Sequence, residues 1–156
     1  MNKSTKKFTN LGNPREITTY QAGVMQAAVH RSLQKHCDDI LKPYGITKAQ
    51  WLMIGVIWDA GADGARITDL AKTLDTTLPY LTTTLKLLES KHIVTRLDNA
   101  GDGRSKIITI HPAFALQFEE IETTLREALR ESIYAHVDAE DFRIYMRVLF
   151  QLGQVR

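Results

Sequence analysis

The chain has 156 residues, of which 44% are hydrophobic and 24% charged, and its formal net charge is +2. This balance is typical of one soluble globular domain and excludes a disordered or fibrous chain. The sequence has no apolar run of about 18 residues and no apolar N-terminal secretory segment, so we expect a cytoplasmic protein without a membrane partner. Its single cysteine, Cys37, excludes an internal disulfide.

The charges are unevenly distributed along the chain. Residues 1–16 carry four basic residues against one acidic residue, residues 66–111 carry seven against five, and residues 112–156 carry five against eight. We expect residues 1–16 to form a basic flexible arm, which either assists in binding a polyanion or only keeps the protein soluble. The positive excess in the arm and in the central segment is compatible with a nucleic-acid partner.

Two helices and a short strand are predicted ahead of the central segment. The first helix runs from about Ile17 to Leu41, and the second follows Thr47. Residues 51–58 of the second helix are apolar all round, which predicts burial on more than one side. A strand-like stretch, Ala65 to Ile67, comes next.

A pair of short amphipathic helices follows. Thr68 is a candidate N-cap of the first of them. Its apolar residues recur at the spacing of one buried face: Ile67, Leu70, Ala71 and Leu74. The second begins near Thr76 to Pro79, since proline is tolerated in a first helical turn. Its predicted buried residues are Leu78, Leu81, Leu85 and Leu88.

The opposite face of the second helix is rich in hydroxyl groups. It carries Tyr80, Thr82, Thr83 and Lys86. Threonine is a poorer helix former than glutamate or lysine, so its presence here calls for another reason than contact with water. In a DNA major groove, threonine can bond base edges or phosphates and place its methyl group against thymine. An ordinary solvated face is the simpler alternative for these threonines taken alone.

A hairpin is predicted directly after the helix pair. Residues 93–97 and 106–110 are β-branched runs, and the residues between them include the turn formers Asn99, Gly101, Asp102 and Gly103. A helix-turn-helix followed by such a hairpin describes a winged helix, which makes DNA the leading candidate partner. Arg104 is placed to enter a minor groove and Asp102 to hold its guanidinium, although the hairpin by itself is also compatible with a plain surface turn.

Two further helices complete the chain. Pro112 opens the first, whose apolar stripe is Phe114, Phe118, Ile121, Leu125, Leu129 and Ile133. Asp138 is the predicted cap of the last, and the apolar side of that helix carries Phe142, Tyr145, Met146, Leu149 and Leu152. We expect this apolar side to be buried. It is buried either against a second copy of the chain or in the interior of a six-helix monomer.

The order of these elements resembles the winged-helix regulators of the multiple-antibiotic-resistance regulator (MarR) family. The resemblance rests on the Leu78 to Leu88 spacing, the Leu88-Glu89 pair, the Val94 to Arg96 strand and the Asp102-Gly103-Arg104 tip, and it spans nearly the whole chain. It implies a mainly α fold with a small β-hairpin wing, in which a winged helix-turn-helix is flanked by N- and C-terminal dimerisation helices. Residues 17–156 would then form a single domain, with 47–111 as the winged-helix unit and 17–44 plus 112–156 as the dimerisation helices.

The resemblance also implies a function. It is that of a sequence-specific transcriptional regulator, a homodimeric repressor that binds a roughly palindromic operator in double-stranded DNA and is released by a small, often aromatic effector. The residues implied to bind DNA are Thr76, Thr77, Pro79, Tyr80, Thr82, Thr83, Lys86, Asp102, Arg104 and Lys106. The sequence departs from the family at Thr83, where arginine is frequent, and at His92, where glycine is frequent. The effector would lie near Trp51, Met53 and Trp58, which core packing explains equally well.

Other classes of function have less support in the sequence. It contains no glycine-rich phosphate loop, nucleophile elbow or paired His-Glu motif, so we expect neither an enzyme nor a bound cofactor or metal. Cys37 is either a small buried hydrophobe or a redox sensor. The alternative function is that of a winged-helix module that binds another protein, such as an antirepressor or assembly subunit, without binding DNA.

Overall fold

A computed structural model of the chain describes residues 17–99 and 102–154. The helices in these residues are α1 (Thr19–Leu41), α2 (Lys48–Asp59), α3 (Ile67–Thr73), α4 (Leu78–Ser90), α5 (Ala115–Ser132) and α6 (Ala139–Gly153). The strands are β1 (Ala65–Arg66), β2 (Val94–Asn99) and β3 (Asp102–Ile110). Short 3-10 turns lie at Lys42–Tyr44, Gly61–Asp63, Pro112–Phe114 and Tyr134–His136. The predicted mainly α fold with a hairpin wing is confirmed.

The chain divides after His36 into two compact units. In the first unit, Thr18 and Gln21 fix the start of α1 by a reciprocal pair of bonds: the Thr18 amide donates to Gln21 Oε1 at 2.9 Å, and the Gln21 amide donates to Thr18 Oγ1 at 3.4 Å. The second unit contains the last residues of α1, of which Cys37 and Leu41 join its core. Gly45 then adopts a φ of 66°, the left-handed conformation that commonly follows a helix end.

The core of the second unit is built around α2. Thr47 and Gln50 form a capping box at its start, and Met53, Ile54 and Ile57 are almost completely buried. Burial on more than one side of this helix was predicted, and it does not extend to Leu52, which is 51% exposed. The reason is that an apolar composition cannot show which side of a helix lacks a neighbour.

The three strands form one antiparallel sheet with the order β1-β3-β2. The predicted strand at Ala65 is thus confirmed as a two-residue edge, in which Ala65 pairs with Ile108. Val94 and Ile108 point into the core and are fully buried. The sheet therefore anchors the base of the hairpin to the same core that holds α2.

Helix α3 begins two residues earlier than a cap at Thr68 would place it. Its N-cap position is Arg66, whose side chain does not cap the helix, so the prediction of Thr68 as cap is wrong. Pairing of Ala65 and Arg66 with β3 sets the direction of the chain here and replaces a side-chain cap. The predicted buried face is confirmed, because Leu70 is buried and Ile67, Ala71 and Leu74 pack against the core.

The last two helices differ in burial. On α5, Phe118, Ile121 and Leu125 are buried, as their spacing predicts. On α6, Asp138 caps the helix by accepting the Asp141 amide at 2.8 Å, which confirms the predicted start. None of the residues Ala139–Gly153 is buried, however. In the part of the chain that the structure describes, no helix combines the length and the apolar character needed to cross a bilayer.

Among the glycines that the structure describes, Gly64 has the least room for a side chain. Its φ is 66° and its ψ is 172°, and a Cβ there would lie 2.9 Å from the carbonyl oxygen of Ile108. We expect Gly64→Ala to lower the free energy of unfolding by about 2 kcal/mol or more, since both strain and a backbone clash result. Urea denaturation measures the change.

The matched control is Gly55→Ala in the interior of α2. Apart from its chain neighbours and the backbone of its own helix, no atom lies within 4 Å of a Cβ built on Gly55, so this substitution should stabilise the fold by about 0.5 to 1 kcal/mol through helix propensity. Equal effects of the two substitutions would contradict the assigned conformation of Gly64.

Candidate nucleic-acid interface

The turn between α3 and α4 fixes the start of the second helix. Asp75 adopts a φ of 47°, and the Thr76 amide donates to the Ala71 carbonyl at 3.0 Å. The Thr77 hydroxyl then caps α4 by accepting the Tyr80 amide at 3.4 Å. Pro79 lies in the first helical turn, as predicted. The Thr77 hydroxyl is therefore engaged in the helix cap.

The inner face of α4 is completely covered. Leu81, Leu85 and Leu88 have no exposed surface, and Thr84 takes the fourth buried position at 7% exposure. The prediction that Leu78 is buried is wrong, because Leu78 is 48% exposed. The leucine spacing continues into the first turn of the helix, but spacing does not show where the core ends.

The outer face of α4 is open. Pro79, Thr83 and Lys86 follow one another at i, i+4 and i+7, which places them in one row opposite the buried stripe. All three are exposed. Tyr80 is exposed on one flank of this row, and Thr82 is half-buried on the other. The helix thus presents hydroxyl, amine and aromatic groups side by side.

The hairpin is longer than predicted. The strands at 93–97 and 106–110 are confirmed in outline, but β2 continues to Asn99 and β3 begins at Asp102, so the predicted turn residues Asp102 and Gly103 belong to a strand. The register shifts between Asp98 and Asn99. Gly101 lies outside the described residues, and so do the side chains of Asp102 and Arg104. Their proposed ion pair and groove contact remain predictions.

Lys106, the last of the predicted DNA contacts, has a carboxylate neighbour. It lies opposite Asp98 in the register of β2 and β3, and its ammonium group forms an ion pair with the Asp98 carboxylate. Both side chains are exposed, so this pair contributes little to stability. Any phosphate that binds Lys106 would have to compete with Asp98.

Two polar contacts fix the C-terminal end of α4. Glu89 Oε2 lies 3.0 Å from Arg96 Nε on β2, and Lys91 Nζ donates to the Gly45 carbonyl at 2.6 Å. Nε and Nη2 of Arg96 are buried and form no hydrogen bond with the described residues, so the carboxylate compensates the charge without an aligned N–H bond. Arg96 was not predicted as a site residue, although a charge among the apolar and β-branched residues 93–97 is a signal of such a link. The pair connects the second helix to the wing.

The base of the hairpin carries two histidines. His92 adopts a φ of 56°, a conformation that glycine adopts most readily. This agrees with the glycine that is frequent at this position in the family that the sequence resembles. The imidazole rings of His92 and His111 lie 5.6 Å apart, edge to face. His111 Nδ1 accepts the Ala113 amide at 3.1 Å and so caps the turn that leads into α5.

An aromatic stack joins α2 to α5. The Phe118 ring lies 4.0 Å from Trp58 and 4.9 Å from Trp51, stacked on both indoles. The predicted effector region around these tryptophans is thus filled by a phenyl ring of the chain itself. A pocket of about 420 Å³ lies elsewhere, beside α3, and its lining includes Asp63, Arg66 and Asp69.

Cys37 lies in an environment that suits a structural role. Burial raises the pKa of its thiol, and this outweighs the lowering effect of the nearby Lys48 ammonium. A raised pKa keeps the thiol protonated and less reactive, which favours the buried hydrophobe over the redox sensor. Within residues 17–99 and 102–154, no group of three or more His, Cys, Asp or Glu side chains is arranged to hold a metal ion.

The family comparison agrees with this architecture. Residues 46–106, which run from the residue before Thr47 through most of the hairpin, match the model of the MarR family. The matched segment contains α2, α3, α4, β1 and β2 and reaches into β3.

Solved structures of similar fold cover most of the chain. A mutant of MarR from E. coli, complexed with operator DNA, is 24% identical with a TM-score of 0.74 over 83% of this chain and 91% of that one. The MepR–DNA complex from S. aureus is 21% identical with a TM-score of 0.72 over 90% and 100%. AbsC, a MarR family transcriptional regulator from Streptomyces coelicolor, is 17% identical with a TM-score of 0.77 over 88% and 95%. At these identities the structures establish the shared fold.

Proposed function

We propose that this chain, whose residues 46–106 match the model of the MarR family, is a sequence-specific DNA-binding transcriptional regulator that acts as a homodimeric repressor. One observation carries the proposal: α4 buries its leucines completely and leaves Pro79, Thr83 and Lys86 in an exposed row. The similar folds of MarR and MepR in complexes with DNA support the same function.

The exposed row suits a major groove. Thr83 offers a hydroxyl group that donates to or accepts from base edges, and Lys86 offers an ammonium group to phosphate or guanine. The hydroxyl of Thr77 is engaged in the cap, so we assign Thr76 and Thr77 to backbone contacts at the helix start. Such contacts position a protein on the duplex and carry no sequence information.

The wing supplies the second part of the proposed contact. We assign Arg104 to the minor groove beside the helix, where a narrow groove attracts a guanidinium group. Asp102 would orient it, and Lys106 would contact phosphate after releasing Asp98. The Glu89–Arg96 ion pair supports this assignment, because it ties the strand that leads to the wing to the helix that would enter the groove.

We propose that a second copy of the chain covers the apolar surface of α6. All its apolar residues are exposed or half-buried, and Leu149, Phe150 and Leu152 are exposed by 44%, 69% and 57%. An apolar surface of this kind on one helix favours a partner that excludes water. A two-fold dimer would present two winged units to successive major grooves about 34 Å apart, which matches a roughly palindromic operator.

We also propose that a small aromatic effector releases the protein from DNA. Phe118 stacked between Trp51 and Trp58 supports it, since the stack is a place for a phenyl ring that connects the winged unit to α5. A phenolic ligand that exchanges with Phe118 would alter this connection. Loss of duplex binding together with a change in tryptophan fluorescence is the expected sign of that exchange.

The DNA contact is tested by the salt dependence of binding to a duplex selected from a random library. We expect Lys86→Ala to weaken binding and to lower the slope of log K against log salt by about 1 for each phosphate that the variant no longer neutralises.

Thr83→Val keeps the shape of the side chain and removes the hydroxyl, so it should change the preferred sequence and leave the slope unchanged. Arg104→Ala should weaken binding while the circular dichroism spectrum stays that of the folded protein.

The control for charge is Arg126→Ala, which removes an exposed guanidinium paired with Glu122 on α5. It should leave both affinity and slope unchanged. Failure of the protein to bind any duplex at low salt would contradict the proposed function. That result would favour the alternative of a winged-helix module that binds another protein.

The dimer is tested by placing a charge on the apolar side of α6. Leu149→Glu should convert dimers to monomers at micromolar concentration, because a carboxylate at a covered position must be desolvated without a partner. Analytical ultracentrifugation measures the mass. Gln151→Glu is the matched control, since it adds the same charge two residues away on the opposite side of the helix and should leave the dimer intact. A wild-type chain that sediments as a monomer would contradict the proposed assembly.

A further inference from the structure

The first turn of α4 exposes apolar surface that the fold does not use. Leu78 and Tyr80 are each 48% exposed, and Pro79 between them is exposed too. A single exposed leucine is common on protein surfaces. Here three consecutive residues with mainly apolar side chains occupy the end of the helix that lies nearest to the bases in the usual docking of a recognition helix.

We infer that Leu78, Pro79 and Tyr80 recognise thymine by contact with its methyl group in the major groove. This inference rests on the proposed function and names which bases the same helix reads. Thymine is the one base of DNA that shows a methyl group at the groove edge, whereas the other bases present only donors and acceptors there. The side chains of Leu78 and Pro79 carry no donor or acceptor, so an apolar group is the only base feature that they can recognise.

The helix geometry pairs each apolar group with a hydroxyl. Leu78 and Thr82 are neighbours at i and i+4 on one flank, and Tyr80 and Thr83 are neighbours at i and i+3 on the other. A methyl contact and a hydrogen bond to the adjacent base edge can therefore come from the same flank. The arrangement fits steps in which thymine lies beside a base with a free donor or acceptor.

The charge of the helix supports DNA as the occupant of this surface. Lys86 lies eight residues after Leu78, about 12 Å further along the helix axis, and belongs to the same exposed row as Pro79. At that distance, the apolar first turn can contact bases on the floor of the groove while the Lys86 ammonium group contacts a phosphate at the groove edge. The first turn is also continuous with the surface that carries the proposed function.

The test replaces thymine by deoxyuridine, one position at a time, in the duplex selected for the wild-type chain. The base of deoxyuridine, uracil, keeps the hydrogen-bond pattern of thymine and lacks only the methyl group. We expect about a fourfold loss of affinity at each contacted position, the factor that corresponds to removing one buried methyl group from an apolar contact. Fluorescence anisotropy of the labelled duplex at fixed salt measures the affinity.

Variants of Leu78 identify the side chain responsible. With Leu78→Ala, uridine and thymine should bind equally at one or more of those positions, whereas Leu78→Met should keep the difference because it keeps an apolar contact. Leu87→Ala is the matched control: Leu87 is 44% exposed on the same helix, about 13 Å further from the first turn, and its removal should leave the uridine effect complete.

Two results would overturn the inference while the proposed function stands. One is wild-type protein that binds the fully uridine-substituted duplex as tightly as the thymine duplex. The other is a uridine effect that persists unchanged in Leu78→Ala. If Leu78→Ala fails to fold, the wild-type chain on substituted duplexes still decides. Failure of the proposed function is a different result, because the protein would then bind no duplex at low salt.

Discussion

The burial of three leucines on α4 is the constraint on which the rest of the structure depends. Leu81, Leu85 and Leu88 have no exposed surface and share one core with Ile54, Ile57 and Leu70. Fully burying a leucine stabilises a fold by about 1.5 to 3 kcal/mol. Three of them together are comparable with the whole stability of a typical domain, about 5 to 15 kcal/mol. Helix α4 therefore cannot rotate about its own axis, and the row of Pro79, Thr83 and Lys86 has to face outward.

A fixed helix is useful for recognition only if the wing keeps its place beside it. The base of the hairpin is held by Val94 and Ile108 in the core, and Glu89 and Arg96 link the end of α4 to β2. The base of the wing and the helix are thus positioned by the same packing. The proposed contact surface is thus made of two elements that are separate in sequence and are joined through one core.

The sequence predicted what depends on local chemistry. Thr77 and Pro79 mark the start of α4, Asp138 marks the start of α6, and β-branched runs mark the hairpin, since caps and strand propensity act over a few residues. It failed where the answer depends on distant neighbours. Periodicity assigned Leu78 to the core because spacing does not show how far the core extends, and the link from Glu89 to Arg96 depends on how the wing folds back.

The most direct test of the account places a photoreactive label at the centre of the exposed row. In Thr83→Cys the new thiol is exposed and Cys37 is buried, so a thiol-directed azide label reacts at the chosen position. Irradiation of the complex with a selected duplex should join the label to bases of the major groove. The same label at Thr123, which is exposed on α5, should give no such product. A bound duplex that cross-links from Thr123 and not from Thr83 would contradict the account.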